Sequence, residues 1–306
     1  MPDIKQFPFS PILGWSNSRY EMFSICKRKY FYHYYNKFDS DLPRREILQY
    51  RELITLPLET GGIVHEVIEA LLRRLKQSTE QIDTTKFLEY AQRTASNHIQ
   101  TRQFEEVVYG QMDQIQEQDL TPGIQECLHN LLASDRFAWL MDLALEHAEG
   151  WIIDPPGYGE TRLEELKAYF KVDFLFPLED GFHIIDWKTG RTDQERHRKQ
   201  LMGYSTWACY HFEVEPDLVW PRLAYLRPEY LEVEETFDAE DLTHFAVQVR
   251  AETQEMYDYC LDVQANIPLD KSEFPLVENQ RICEYCNFRG ICYPELYPAD
   301  FNRSLV

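Results

Sequence analysis

Two aspartates and a lysine in the middle of the chain have the types and spacing for hydrolytic chemistry. The segment reads Val172-Asp173-Phe174, then Asp180-Gly181, then Ile184-Ile185-Asp186-Trp187-Lys188. Side chains alternate along a strand, so Asp186 and Lys188 share one face. In a hairpin with an even-numbered loop between Leu178 and Phe182, Asp173 lies opposite Asp186 when Leu178 faces Gly181. If the loop slides by one, Asp173 faces Lys188 instead. Either register gathers two carboxylates and one ammonium on one side; a three-residue loop without a bulge breaks that parity. Opposed carboxylates repel each other. A divalent cation turns the repulsion into a binding site, because hard cations prefer oxygen ligands. The neighbouring lysine can then orient water and stabilise charge developing on a phosphate. The plainer reading is a surface hairpin with a salt-bridged Asp and Lys. The flanking Phe182, Ile184, Ile185 and Trp187 weigh against it, since they describe a strand buried on both faces, where unpaired charge is costly.

Cysteines form a second constellation. Cys283, Cys286 and Cys292 fall within ten residues, a CxxC knuckle followed by a third thiol. One more thiolate completes a four-cysteine metal set. The remaining cysteines are Cys26, Cys127, Cys209 and Cys260. An odd total of seven, with no apolar h-region in the first thirty residues, argues against a disulfide framework and a secretory signal.

The elements that must position these groups follow from periodicity. A helix is expected over about 16–35, where Tyr20, Phe23, Lys27 and Tyr30 keep helical spacing. A second runs from Gly61 through Leu75 with Val64, Val67, Ile68, Leu71 and Leu72 as its apolar stripe. Residues 79–149 read as a helical insertion broken at Thr121-Pro122-Gly123. The period then changes to two: Ala168, Phe170, Val172, Phe174 and Phe176 occupy one face of a strand over 167–176, followed by a turn and a strand over 182–188. A helix over 194–212, a strand over 219–226 and a helix over 242–264 complete an α/β chain, read as one domain spanning 1–306 with a small central mixed sheet flanked by helices.

The 306 residues are 44% hydrophobic and 14% aromatic, which excludes a disordered chain. No run of eighteen apolar residues exists, so no membrane span is expected and the protein reads as cytoplasmic. The net charge of −21 opposes contact with nucleic acid unless the basic residues are clustered. They are grouped at Lys27-Arg28-Lys29, Arg44-Arg45, Arg73-Arg74, and Arg191 with Arg196, Arg198 and Lys199. The run Lys27 to Tyr35 (KRKYFYHYY) offers rings and cations to clamp a single strand, or a helix packed into the core.

The motifs together resemble the PD-(D/E)xK nuclease superfamily, and within it the RecB-like branch. Asp173 and Asp186-Trp187-Lys188 resemble its divided acidic motif, and Gln200-Leu201-Met202-Gly203-Tyr204 its QxxxY motif. Gly61-Gly62-Ile63-Val64-His65-Glu66-Val67-Ile68-Glu69 resembles its GxxxHxxxE helix. Trp15 to Tyr20 with Phe23, Cys26, Arg28, Tyr30 and Phe31 is similar to its opening helix. Cys283-Glu284-Tyr285-Cys286 and Cys292 look like the C-terminal cluster of the iron–sulfur subset, which includes the nuclease domain of AddB-type helicase subunits and CRISPR-associated spacer-acquisition nucleases. The motifs stand in family order over residues 15–292.

The resemblance implies a restriction-endonuclease-like core and a Mg²⁺- or Mn²⁺-dependent deoxyribonuclease acting on single-stranded DNA or DNA ends. Asp173, Asp186 and His65 would be metal ligands, with the Trp187 carbonyl as a fourth. Lys188 would be the catalytic lysine, Gln200 and Tyr204 would position it or a substrate phosphate, and Glu69 would stand behind His65. Cys26 would join Cys283, Cys286 and Cys292 around a 4Fe-4S cluster that staples the two ends together, with Zn²⁺ as the alternative occupant. Asp stands where Glu is commoner before the lysine, and Lys27 follows Cys26 where proline is frequent. The resemblance admits a helicase or CRISPR-associated protein as a partner without requiring one; no Walker P-loop is present in this chain, so any motor must be another chain. Two other readings are a DNA-binding scaffold subunit that has lost cutting, which intact Asp173, Asp186 and Lys188 oppose, and a zinc-stabilised interaction protein.

Overall fold

The structure, a computed structural model, describes residues 4–78, 80, 82–191 and 193–303. Residue 79, where the sequence places the start of the helical insertion, lies outside the described residues, as does the side chain of Arg196. In chain order the helices are α1 (Asn17–Ile25), α2 (Lys27–Tyr34), α3 (Arg44–Arg51), α4 (Leu56–Gln77), α5 (Thr84–Thr101), α6 (Glu105–Val108), α7 (Glu117–Leu132), α8 (Asp135–His147), α9 (Gln194–Phe212), α10 (Ala239–Tyr257) and α11 (Arg289–Cys292). The strands are β1 (Ile152–Ile153), β2 (Glu160–Leu163), β3 (Leu166–Tyr169), β4 (Phe174–Leu178), β5 (Gly181–Lys188), β6 (Val219–Tyr225), β7 (Leu231–Glu234), β8 (Cys260–Asp262) and β9 (Ile267–Pro268). The chain packs as two compact units. The first holds Met1–Ser10, Thr60–Thr94 and Thr121–Ala251; the second holds Pro11–Glu59, Ala95–Leu120 and Glu252–Val306.

The first unit is built on a five-stranded mixed sheet in the order β1-β4-β5-β6-β7. β4 and β5 pair antiparallel with Leu178 opposite Gly181 and Phe174 opposite Ile185. This is the first of the two expected registers, joined by the two-residue loop Glu179-Asp180. Gly181 closes the hairpin at φ 137°, where a Cβ would collide with the Leu218 carbonyl. β5 and β6 run parallel. Such a pair needs a crossover, and α9 supplies it over the range the sequence predicts. Val67, Ile68, Leu71 and Leu72 of α4 are buried. The end of α4 is fixed by Lys76 Nζ donating to the Trp151 carbonyl at 2.8 Å.

The strand expected over 167–176 is two strands. β3 turns back on β2 in a separate hairpin, and only β4 joins the main sheet. The sequence gives no warning, because the β2–β3 loop is Glu164-Glu165, both at positive φ and neither a residue that favours it. α7 runs through Pro122, where a break is expected. The ring forfeits one helical hydrogen bond, and burial of Leu120 and Ile124 on either side holds the helix together. α9 meets the β3–β4 connection at Gly203, where a Cβ would strike the buried Phe170 ring. Gly203→Ala therefore lowers stability by about 1–3 kcal/mol despite alanine's better helix propensity, measurable by urea denaturation.

The second unit joins the N-terminal helices to the C-terminal segment. The helix expected over 16–35 is two, broken at Cys26. That residue is extended at φ −155°, and its Sγ accepts from Lys29 N–H at 3.4 Å to cap α2. Tyr30, Phe31, Tyr32 and Tyr35 are buried. Phe31 lies 5.0 Å from Phe274 and Phe23 lies 5.2 Å from Tyr259, centroid to centroid. These four rings of the KRKYFYHYY run are core, and are not free to stack on a strand. Arg28 ties α2 to the C-terminal loop by donating to the Phe274 carbonyl at 2.8 Å and the Lys271 carbonyl at 3.2 Å. The last long helix ends at Tyr257, short of the expected residue 264, and gives way to the β8–β9 hairpin. Among the described residues no helix is long and apolar enough to cross a membrane.

Candidate active site

In the first unit, α4, the approach to β4 and the end of β5 close around a cavity of about 270 Å³. His65, Glu66, Glu69, Lys171, Asp173 and Trp187 line it. The β4–β5 register brings Asp173, one position before Phe174, to the level of Asp186, one position after Ile185. Asp173 Oδ2 accepts from the Trp187 N–H at 3.1 Å and lies 3.1 Å from His65 Nδ1. Asp186 is 2% exposed. Its Oδ2 lies 2.5 Å from Lys188 Nζ but carries no directed hydrogen bond.

α9 completes the arrangement. Gln200 Oε1 accepts from Lys188 Nζ at 2.8 Å, while its Nε2 donates to Asp186 Oδ1 at 3.2 Å. Tyr204 O–H donates to the same Oδ1. Gln200 and Tyr204 lie four residues apart on one helix face, so one turn of α9 holds both the lysine and the carboxylate.

The electrostatics are those of two negative charges forced together. Burial, and after it the charge of Asp173, hold the Asp186 carboxyl above the ordinary carboxylate range against the pull of Lys188. Burial also pushes Asp173 up, but His65, Lys188 and the Trp187 N–H together hold it below that range. Burial pushes the His65 imidazole down, and Asp173 outweighs it, lifting it to about 9. Burial and then Asp186 raise the Tyr204 phenol well above its usual value, so Tyr204 is a donor throughout the physiological range.

This donor set suits a hard divalent cation: two carboxylates, an imidazole, and a buried carboxylate oxygen lacking a directed hydrogen bond. Among the described residues no group of three or more His, Cys, Asp or Glu is drawn to metal-ligating distances. Asp173 instead meets His65 and the Trp187 N–H, and Asp186 meets Lys188, Gln200 and Tyr204. Glu69, expected behind His65, lines the cavity and pairs with Arg73 at 2.7 Å. Trp187 packs its ring on Phe174 at 6.0 Å, leaving its backbone at the site.

Sequence reasoning passes over Lys171 and Asp154, which line the same cavity and pair at 2.9 Å. Lys171 shares the alternation of Asp173 in the segment read as one strand, and that parity is the signal that could have found it. Asp154 had none: it enters from a turn at φ 47°.

In the second unit, Cys26, Cys283, Cys286 and Cys292 converge within electrostatic reach of one another. Burial, then Cys286 and Cys26, push the Cys292 thiol up to about 12. Burial and then Cys26 raise Cys283. Burial raises Cys286, with Lys29 pulling back and Cys26 and Cys283 adding to the rise. Cys127, Cys209 and Cys260 take no part in this set. The four thiols are gathered without being collapsed to ligating distance.

The model of the PD-(D/E)XK nuclease superfamily matches residues 14–293. The chain belongs to that superfamily, whose members are usually hydrolases that use Mg²⁺ or Mn²⁺. Its mixed sheet with flanking helices is the restriction-endonuclease-like core expected from the sequence. No curated protein matches the chain.

Proposed function

We propose that this chain is a Mg²⁺- or Mn²⁺-dependent deoxyribonuclease of the RecB-like branch, cutting single-stranded DNA or DNA ends. The observation that carries the reading is the Asp173–Asp186 pair with His65 on one flank and Lys188, clamped by Gln200, on the other. Asp173, Asp186, His65 and the Trp187 carbonyl would hold the ion. When bound, it supplies Lewis-acid polarisation of the phosphate and an activated water. Lys188 orients that water and balances charge on the phosphate oxygens. Gln200 and Tyr204 fix the lysine and the carboxylate, and Lys171 lines the same cavity as Asp173.

The four gathered thiols support a 4Fe-4S cluster on Cys26, Cys283, Cys286 and Cys292, with Zn²⁺ as the alternative. Its role is structural, tying the 283–292 element to α2. The whole span 1–306 then works as one nuclease carrying the 79–149 insertion, in the cytoplasm, with a helicase or CRISPR-associated protein as its partner.

The test is degradation of an end-labelled single-stranded oligonucleotide. Cutting in Mn²⁺ that EDTA abolishes is expected; no cutting in either Mg²⁺ or Mn²⁺ refutes the reading. Gln200→Ala frees Lys188 without removing it, so kcat falls by about 10–100-fold, as for groups that orient others, with KM little changed. A drop confined to KM would assign Gln200 to substrate binding instead.

A further inference from the structure

The second unit has a groove that the chemistry above does not use. It has a volume of about 600 Å³ and is bounded by α2, the end of α3, the start of α4 and the cysteine knuckle. Several of the basic residues grouped in the sequence are taken up by the protein: Lys27 donates to the Phe23 carbonyl, Arg28 to the Phe274 carbonyl, Arg73 to Glu69 and Arg198 to Glu235. Lys29 and Arg51 differ. Both line the groove, and among the described residues neither side chain makes an ion pair or hydrogen bond. Between them lies His33, held down to about 4 by burial and then by Arg51, Lys29 and Arg19. Three carboxylates also line the groove. Arg289 neutralises Glu105 at 2.6 Å, Glu106 accepts from the Leu56 N–H at 2.8 Å, and Glu284 is exposed. Around His33 the groove presents the cations Lys29 and Arg51, while Glu106 and Glu284 bring carboxylates to the same lining, in a chain whose net charge is −21.

Two apolar side chains that line the same groove are left uncovered by the fold. Tyr285, inside the CxxC knuckle, is 83% exposed, and Leu58 is 65% exposed. Rings presented to solvent beside unpaired cations suit single strands, whose unstacked bases and phosphates are both accessible. A duplex hides the faces of its bases.

From this juxtaposition we infer that the groove is a binding site for single-stranded nucleic acid, with Lys29 and Arg51 on consecutive phosphates and Tyr285 stacked on a base. The inference rests on the nucleic-acid reading above but not on cutting. In this role the knuckle presents Tyr285 as well as binding metal.

The experiment is fluorescence anisotropy with a labelled single-stranded oligothymidine, using the full chain carrying Asp186→Asn so that the probe stays intact. Lys29→Ala with Arg51→Ala should weaken binding at least about tenfold and flatten the log–log salt dependence by roughly 1.4, two phosphates' worth. Tyr285→Ala should weaken it by about tenfold. Tyr285 is so exposed that its removal leaves the fold intact, and it carries the test if the double variant misfolds. Affinity and salt slope unchanged in both variants, or a parent that does not bind the oligonucleotide, would overturn the groove. Binding that the substitutions weaken, in a chain whose native form cuts nothing, would sustain the groove and refute the nuclease reading alone.

Discussion

Asp186→Asn lowers cleavage of single-stranded DNA by about 10³-fold or more while the chain stays folded. The substitution removes the charge of a carboxylate proposed to ligate the metal and keeps the shape. Asp186 is buried, is raised by burial and by Asp173, and receives Gln200 and Tyr204 on its Oδ1. An asparagine oxygen accepts those same bonds and relieves the repulsion from Asp173, but its amide nitrogen faces Lys188 Nζ in place of a carboxylate oxygen, so stability falls by about 1–3 kcal/mol. Alanine is the poorer probe, since it also strips the acceptor from Gln200 and Tyr204, and breaking a buried pair outright costs about 3–5 kcal/mol. The companion substitution, Lys188→Ala, lowers the rate of the chemical step by about 10²–10³-fold, the usual cost of losing one group aimed at developing charge. Single-turnover kinetics with chemical denaturation check both parts. Full activity in both variants would remove the site.

Cys292→Ser has the largest expected effect on stability. Treated as a cross-link between Cys26 and Cys283, the proposed cluster would close a loop of more than 250 residues. Loop-closure entropy for that length stabilises by roughly 5 kcal/mol. Purified under exclusion of oxygen, the parent protein is expected to be brown with absorbance near ~400 nm. Cys292→Ser loses the colour and unfolds at lower denaturant, whereas Cys209→Ser, outside the gathered set, keeps both. A colourless parent containing zinc would keep the staple and change its metal. A metal-free parent as stable as the loaded one would dispose of the staple. The surrounding contacts remain without it: Arg289 on Glu105, Tyr109 O–H on the Asn287 carbonyl at 2.6 Å and Asn287 on the Tyr50 carbonyl at 2.8 Å.

The hairpin at the heart of the site was legible because strand alternation is a local rule. Parity alone put Asp186 and Lys188 on one face, and a two-residue loop fixed the rest. α9 was legible for a similar reason, having clear flanking strands and a glutamine and tyrosine four apart. What escaped depended on contacts distant in sequence or on turns lacking their usual residues. Nothing in Ser16–Tyr35 announces that Cys26 is extended, because that break comes from its thiol capping α2. Glu164-Glu165 turns a hairpin without glycine or asparagine, and so β3 was merged with β4. Asp154 and Lys171 meet across the sheet edge, and Arg51 joins Lys29 and His33 only in the folded unit.

The central claim is most directly tested by the position of one ion. Crystals of the chain grown or soaked with Mn²⁺ and measured at the manganese edge should show an anomalous peak bounded by Asp173, Asp186 and His65, next to the Trp187 carbonyl. A peak elsewhere, with the two aspartates still held by Lys188 and His65 alone, would contradict it.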